Sequence, residues 1–79
     1  MLNWRDHIHS DPAILGGKPV IRGTRISVEL VLEYLADGCG IADVLAAYPH
    51  LNEEGVRAAA AFAHDMIVDE ASLARKRAA

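Results

Sequence analysis

The stretch GGKPVIRGTRIS, residues 16–27, decides how this chain begins to fold. It holds three glycines, one proline and three cations, and it lies directly before the first strongly helical pattern. Glycine tolerates positive φ, so Gly17 and Gly23 are expected to shape two tight bends. The apolar pair Val20–Ile21 between the bends predicts a short extended piece. Because Pro19 lacks a backbone N–H, that piece is expected at the edge of a sheet.

The same stretch is not a phosphate-binding loop of the P-loop type. That motif needs four residues between its first glycine and a Gly-Lys pair, then Ser or Thr, then a helix. Here Pro19 follows Lys18. Arg22 and Arg25 flank the second bend, where they would form salt bridges and cap carbonyls, or else contact phosphates or a partner's carboxylates. The residues alone leave both interpretations open.

Before this stretch, residues 3–9 alternate imperfectly between apolar and polar side chains. The pattern predicts a short strand with Trp4 and Ile8 on its covered face. We predict a homodimer from three features together: a small core, a strand with edge character, and a tryptophan side chain that must be shielded from water. Trp4 and Ile8 are therefore candidate interface residues, with the alanine-rich third helix as the second choice of contact.

After Ser27 the apolar period changes from about 2 to about 3.6, which predicts helices. Ser27 and Asn52 are candidate N-caps, and Gly38 and Pro49 are candidate stops. We expect three helices of about 11, about 8 and about 17 residues, a mainly α, trihelical unit of the helix-turn-helix kind after a short N-terminal β-strand or hairpin. A small bundle without a DNA role fits the same pattern. The predicted buried stripe of the third helix comprises Val56, Ala59, Ala60, Ala63, Met66 and Ile67.

The chain is expected to form one domain with three parts: a β/turn segment over residues 1–26, the trihelical unit over 27–70 and a basic tail over 71–79. These parts differ in charge. Residues 1–26 carry four cations against two carboxylates, residues 27–70 carry one arginine against nine carboxylates, and the tail carries three cations. A polyanion should therefore meet the first part or the tail, since the acidic middle would repel it.

Composition narrows the class of protein further. With 52% apolar and 24% charged residues the chain is expected to be globular, and its single cysteine, Cys39, rules out an internal disulfide. The sequence has neither a membrane-spanning run nor a signal-peptide core, so we expect a cytoplasmic protein without membrane contact. The spacing of His7 and His9 is not a zinc signature. We find no catalytic set, and expect no metal, no cofactor and no enzyme activity.

The run Asp11-Pro-x-x-x-Gly-Gly-Lys-Pro-Val-Ile-Arg-Gly-Thr-Arg-Ile, then a helix, Gly38 and a second helix ending at Tyr48-Pro49, resembles the bacterial domain-of-unknown-function family 433. The resemblance covers roughly residues 3–67. It implies a homeodomain-like fold and a VapB-type antitoxin with a helix-turn-helix domain, encoded beside a PIN-like ribonuclease toxin that the antitoxin neutralises.

On this hypothesis the chain is an antitoxin of a bacterial type II toxin-antitoxin system that binds DNA. The candidate DNA contacts are Lys18, Arg22, Arg25, Asn52 and Arg57. The third helix departs from expectation, because Glu53 and Glu54 at its start would be repelled by phosphates. Two alternatives remain: a protein–protein interaction module without DNA binding, and a free-standing transcription regulator.

Overall fold

The computed structural model describes residues 2–68 and contains three α-helices and a two-stranded antiparallel hairpin. The strands are β1 (Ile8–His9) and β2 (Val20–Ile21), and the helices are α1 (Val28–Ala36), α2 (Ile41–Ala47) and α3 (Glu53–Ile67). The expectation of a mainly helical domain after a short hairpin is confirmed at this level. The predicted basic tail, residues 71–79, lies outside the described residues.

The N-terminal strand predicted over residues 3–9 is wrong in its first half. The side chain of Asn3 accepts a hydrogen bond from the Arg5 N–H at 3.1 Å and starts a 3-10 turn, Trp4–Asp6. Asparagine competes with strand pairing in this way because its short side chain reaches nearby backbone donors. Within residues 3–9 only Ile8–His9 forms a strand, and Ile8 pairs with Ile21.

Strand β2 is an edge of the two-stranded sheet, as Pro19 led us to expect, and it also has an isolated backbone partner on its outer side. One side pairs with β1, and on the other side Val20 forms a bridge with Ser27. The Pro19 carbonyl accepts from the Val28 N–H at 3.0 Å. Proline lacks a donor but keeps its acceptor, so pairing continues past it and ties the hairpin to the start of α1.

The helix boundaries follow the predicted signals. Ser27 accepts from the Leu30 N–H at 3.0 Å and Asn52 accepts from the Gly55 N–H at 2.8 Å, so both are N-caps. At the end of α1, Gly38 has a φ of 93° and donates to the Leu35 carbonyl, while the next N–H bonds the Tyr34 carbonyl. This pair of bonds is a Schellman motif, and it turns the chain sharply into α2.

The core is made mostly of small side chains. The largest fully buried ones are all valines: Val20, Val31, Val44 and Val56. Larger apolar residues pack at the core's margin and keep part of their surface exposed, among them Trp4, Leu32, Leu35 and Phe62. A domain of this size buries only about 60% of its unfolded surface, so such a core gives limited stability.

The buried stripe of α3 differs from the prediction at both ends. Gly55, Val56, Ala58 and Ala59 are buried, whereas Ala60 is exposed. Met66 and Ile67 were also expected inside, but they are 59% and 79% exposed. The described part of α3 therefore carries an apolar end that the rest of residues 2–68 does not cover.

Candidate nucleic-acid interface

The bend at residues 22–25 presents two arginines to solvent, and we call it the basic bend. Gly23 has a φ of 78°, which reverses the chain between Ile21 and Thr24, and the Thr24 N–H donates to the Ile21 carbonyl at 3.0 Å. The Thr24 hydroxyl donates to the same carbonyl at 2.8 Å and accepts from the Ile26 N–H at 3.0 Å. These bonds hold the bend in one conformation, with Arg22 and Arg25 exposed on either side of the glycine.

The guanidinium of Arg22 points toward the N-terminal turn, where it donates to the Arg5 carbonyl at 3.2 Å. The backbone N–H of Arg22 also donates to the His7 carbonyl at 2.8 Å. The Arg5 guanidinium stacks on the Trp4 ring, 4.4 Å from the ring centre. Arg5 and the basic bend thus belong to one exposed edge of the domain. Within residues 2–68 neither Arg22 nor Arg25 forms an ion pair with a carboxylate.

Lys18, the third cation of the opening stretch, has a partner. Its ammonium lies 2.9 Å from a carboxylate oxygen of Glu29 on α1, and both side chains are largely exposed. Exposed pairs of this kind add little stability, about 0–1 kcal/mol, and a stronger anion can displace them. The ion pair nevertheless lowers the positive charge that Lys18 offers to a polyanion.

The two candidate DNA contacts at the start of α3, Asn52 and Arg57, lie beside carboxylates. Asn52 uses its side-chain oxygen to cap the helix, which leaves only its amide donors for any other contact. Glu53 and Glu54 occupy the exposed first turn, where the helix dipole favours carboxylates. Arg57 is exposed on the next turn. One cation and two carboxylates make this end of α3 a poor surface for phosphates.

The predicted dimer residues are both used within the chain. Ile8 is 3% exposed and lies in the core. The Trp4 ring meets Phe62 edge-on, with ring centres 4.8 Å apart, and its indole N–H donates to Asp65 at 2.7 Å. The cover that Trp4 was expected to need is thus supplied in part by α3 of the same chain.

Sequence reasoning missed two residues that the structure brings to this side of the domain. Arg5 shares an edge with the basic bend, and its position next to Trp4 was the available signal for a cation–π contact. The partnership of Asp65 with Trp4 spans 61 positions, and no local pattern indicates it. The indole bond, and then the neighbouring His64, hold the pKa of Asp65 below its usual value.

A second surface feature is an open apolar groove of about 350 Å³ between α1 and the end of α3. Val28 and Leu32 form one wall. Phe62, Ala63, Met66 and Ile67 form the other, and the Lys18–Glu29 pair lies at the rim. Its lining is mostly aliphatic and aromatic, so it suits another apolar surface better than a polyanion.

Other kinds of site have little support in the described part of the chain. Among residues 2–68 no three His, Cys, Asp or Glu side chains lie close enough together to hold a metal ion. Cys39 is a partly buried free thiol. No helix within these residues combines the length and the apolarity needed to cross a bilayer.

The chain is similar to known proteins of one family. Residues 8–63 match the family model described as "Protein of unknown function (DUF433)". An uncharacterised protein, y4eO, of Sinorhizobium fredii is 42% identical over 59 residues. The match takes in 75% of this chain but only 27% of that longer protein. The crystal structure of a DUF433 member from Anabaena variabilis superimposes with a TM-score of 0.72 at 29% identity, covering 95% of this chain and 71% of the other.

Proposed function

The chain belongs to the DUF433 family of proteins of unknown function, and from that premise we propose that it is a DNA-binding antitoxin whose basic bend contacts the phosphate backbone. The observation that carries the proposal is the bend itself. Arg22 and Arg25 stand exposed on a hydrogen-bonded turn, without a carboxylate partner in the described residues. A planar guanidinium held in this way suits bidentate contact with a phosphate.

Charge distribution supports the bend over α3 as the principal contact. The first 26 residues carry more cations than carboxylates, whereas the helical unit after them is acidic, and Glu53 and Glu54 would repel phosphates approaching the start of α3. Contacts with the DNA phosphates set the orientation and affinity of the protein on the duplex, but they do not distinguish one base sequence from another. Arg57 and Asn52 are then secondary candidates, acting only if α3 also reaches the duplex.

Two copies of the chain would make the contact stronger. A homodimer brings two basic bends together, so four arginines can meet phosphates on one duplex. Such an arrangement fits a small regulator that binds its own promoter region. The protein partner that the family resemblance implies is a PIN-like ribonuclease, which the antitoxin would hold inactive.

The direct test is a fluorescence-anisotropy titration of the chain's own promoter fragment at low salt. We expect binding by the wild-type protein and at least a tenfold loss for Arg22→Ala/Arg25→Ala, because each dimer loses four charge-assisted contacts. Arg57→Ala is the comparison variant: it removes the exposed arginine of α3, the secondary candidate, and should cost less affinity than the loss of the two bend arginines. Absence of binding by the folded wild-type protein would contradict the DNA role.

The toxin partnership requires a separate test. A PIN-like ribonuclease encoded by the neighbouring gene should copurify with the chain and lose activity in its presence. The open groove favours one alternative, a protein-interaction module that never contacts DNA. That alternative predicts inhibition of the ribonuclease together with no promoter binding at any salt concentration.

A further inference from the structure

The groove between α1 and α3 carries an inference about how two copies meet. Of the large apolar side chains that residues 2–68 leave exposed, Met66 and Ile67 both lie in this one groove. The third, Leu15, at 44% exposure, lies outside it. Apolar surface concentrated in one open groove, beside a core built of valines, indicates a surface that a partner covers.

The end of α3 is held so that these residues remain at the groove. The hydrogen bond from Trp4 to Asp65, and the contact of Trp4 with Phe62, fix one side of the last helical turns. Met66 and Ile67, called the apolar ridge below, lie on these same turns and form one wall of the groove together with Phe62 and Ala63. The apolar ridge therefore lies on the part of α3 that Trp4 contacts, directly at the groove.

The rim of the groove carries one charge of each sign. Lys18 and Glu29 lie 2.9 Å apart at its edge. An interface with two-fold symmetry places a patch against its own copy, so the patch must complement itself in shape and in charge. An apolar ridge beside an apolar groove, with a lysine and a glutamate at the rim, satisfies both requirements. A rim of one sign would instead repel its copy.

We propose that the occupant of this groove is a second copy of the chain. The Met66 and Ile67 side chains of one protomer lie in the groove of the other, and the Lys18–Glu29 pairs are exchanged between protomers across the rim. The contact thus lies on α1 and α3, and not on the strand at Ile8. This proposal rests on only one part of the proposed function, the assembly of two copies of the chain, and it requires no DNA.

The first test measures dissociation of the full chain by sedimentation without DNA. We expect a wild-type dimer at tens of micromolar. Met66→Asp and Ile67→Asp should each weaken it about tenfold or more, because a charge replaces an apolar side chain buried at the contact. Leu15→Asp, the matched control, should leave the dimer unchanged. A folded wild-type monomer, or a dimer indifferent to both variants, would overturn the proposal.

The second test works even where an aspartate variant folds poorly. Lys18→Glu and Glu29→Lys should each weaken the dimer, since like charges then face each other twice across the rim. Mixing the two variants should restore dimerisation, because in the mixed dimer both exchanged pairs regain opposite signs. If both single variants weaken the dimer but the mixture stays as weak as they are, the pair does not cross the interface and the proposal fails.

Methyl NMR identifies any other occupant of the groove. In a dimer mixed from labelled and unlabelled protein, contacts between Met66 and Leu32 methyl groups should be intermolecular. Contacts from residues 69–79 of the same chain would instead assign the groove to that segment and overturn the proposal. Promoter binding is measured separately, so this inference and the DNA role fail or stand independently.

Discussion

Trp4 and Asp65 join the two ends of the described chain through one hydrogen bond, and that bond is the main cause that lowers the pKa of the Asp65 carboxyl group. The indole N–H and, second, His64 hold the pKa of Asp65 below its ordinary value of 3.8. We expect Trp4→Phe to raise the pKa of Asp65 toward that value, because phenylalanine keeps the ring contact but has no donor. A carbon-detected NMR titration of the carboxyl group measures it.

The sign of the stability effect follows from the direction of that shift. Because folding lowers the pKa of Asp65, the bond stabilises the native state above the ordinary pKa of 3.8, and this stabilisation is lost as the pH falls through the lower, folded value. Wild type should therefore lose more stability than Trp4→Phe on acidification through this range. An unchanged Asp65 titration in the variant would contradict this account of the bond.

Gly23 is expected to be needed for its backbone conformation alone. Its φ is 78°, and a Cβ built there would meet no atom within 4 Å. Gly23→Ala should therefore lower the free energy of unfolding by about 1–2 kcal/mol through backbone strain without a clash. Gly17 has a φ of 91°, and a Cβ built there would meet the Pro12 Cα at 3.9 Å, an ordinary contact distance, so it should respond in the same way.

Thermal or chemical unfolding measures both glycine variants. Gly23→Asn is the matched control, because asparagine tolerates the left-handed region and should lose less stability than alanine. An unshifted or raised midpoint for Gly23→Ala would mean that the bend adopts another conformation in solution.

At the level of elements, substitutions of Asn52, the N-cap of α3, distinguish its structural role from a DNA contact. Asn52→Ala should cost about 1 kcal/mol, since the Gly55 N–H loses its acceptor. Asn52→Asp keeps an oxygen there and should keep the stability. If Asn52 serves only as a cap, Asn52→Asp also retains more promoter affinity than Arg22→Ala. Full stability of Asn52→Ala in denaturant titrations would argue against the cap.

The helices could be predicted because their signals are local. Ser27 and Asn52 lie three residues before the N–H groups they cap, and Gly38 ends α1 through its own backbone freedom. The buried face of α3 was harder to predict, because the alanine run 58–61 gives no contrast between apolar and polar faces. Ala58 is consequently buried where Ala60 was expected.

The charged residues of the candidate site could be predicted from the sequence, but the residues that they and Trp4 contact could not. The glycine at position 23 indicated a bend between two arginines, and the structure has that bend. The pairing of Lys18 with Glu29 and the contact of Trp4 with α3 depend on tertiary packing, to which no nearby residue is a guide. Pro19 indicated the edge position of β2, but it did not indicate the isolated bridge to Ser27 or the bond from the Val28 N–H to its own carbonyl.

For the whole molecule, separation of charge is the property on which the proposed function depends. The hairpin end of the domain carries the exposed arginines, and the helical unit after it is strongly acidic. Within residues 2–68, a polyanion should therefore be attracted to the hairpin end, which orients the domain before close contact forms. The apolar groove involves other residues, so the proposed dimer contact and the basic bend can be occupied together.

The central claim, that the basic bend contacts DNA phosphates, is tested most directly by the salt dependence of promoter binding. Each phosphate contact contributes about 0.9 to the slope of log K against log salt, so a dimer that loses one arginine per copy should lose about 1.8. We predict that decrease for Arg22→Ala and for Arg25→Ala, with Arg57→Ala retaining the wild-type slope. Wild-type slopes in both bend variants, with the fold intact, would contradict the claim.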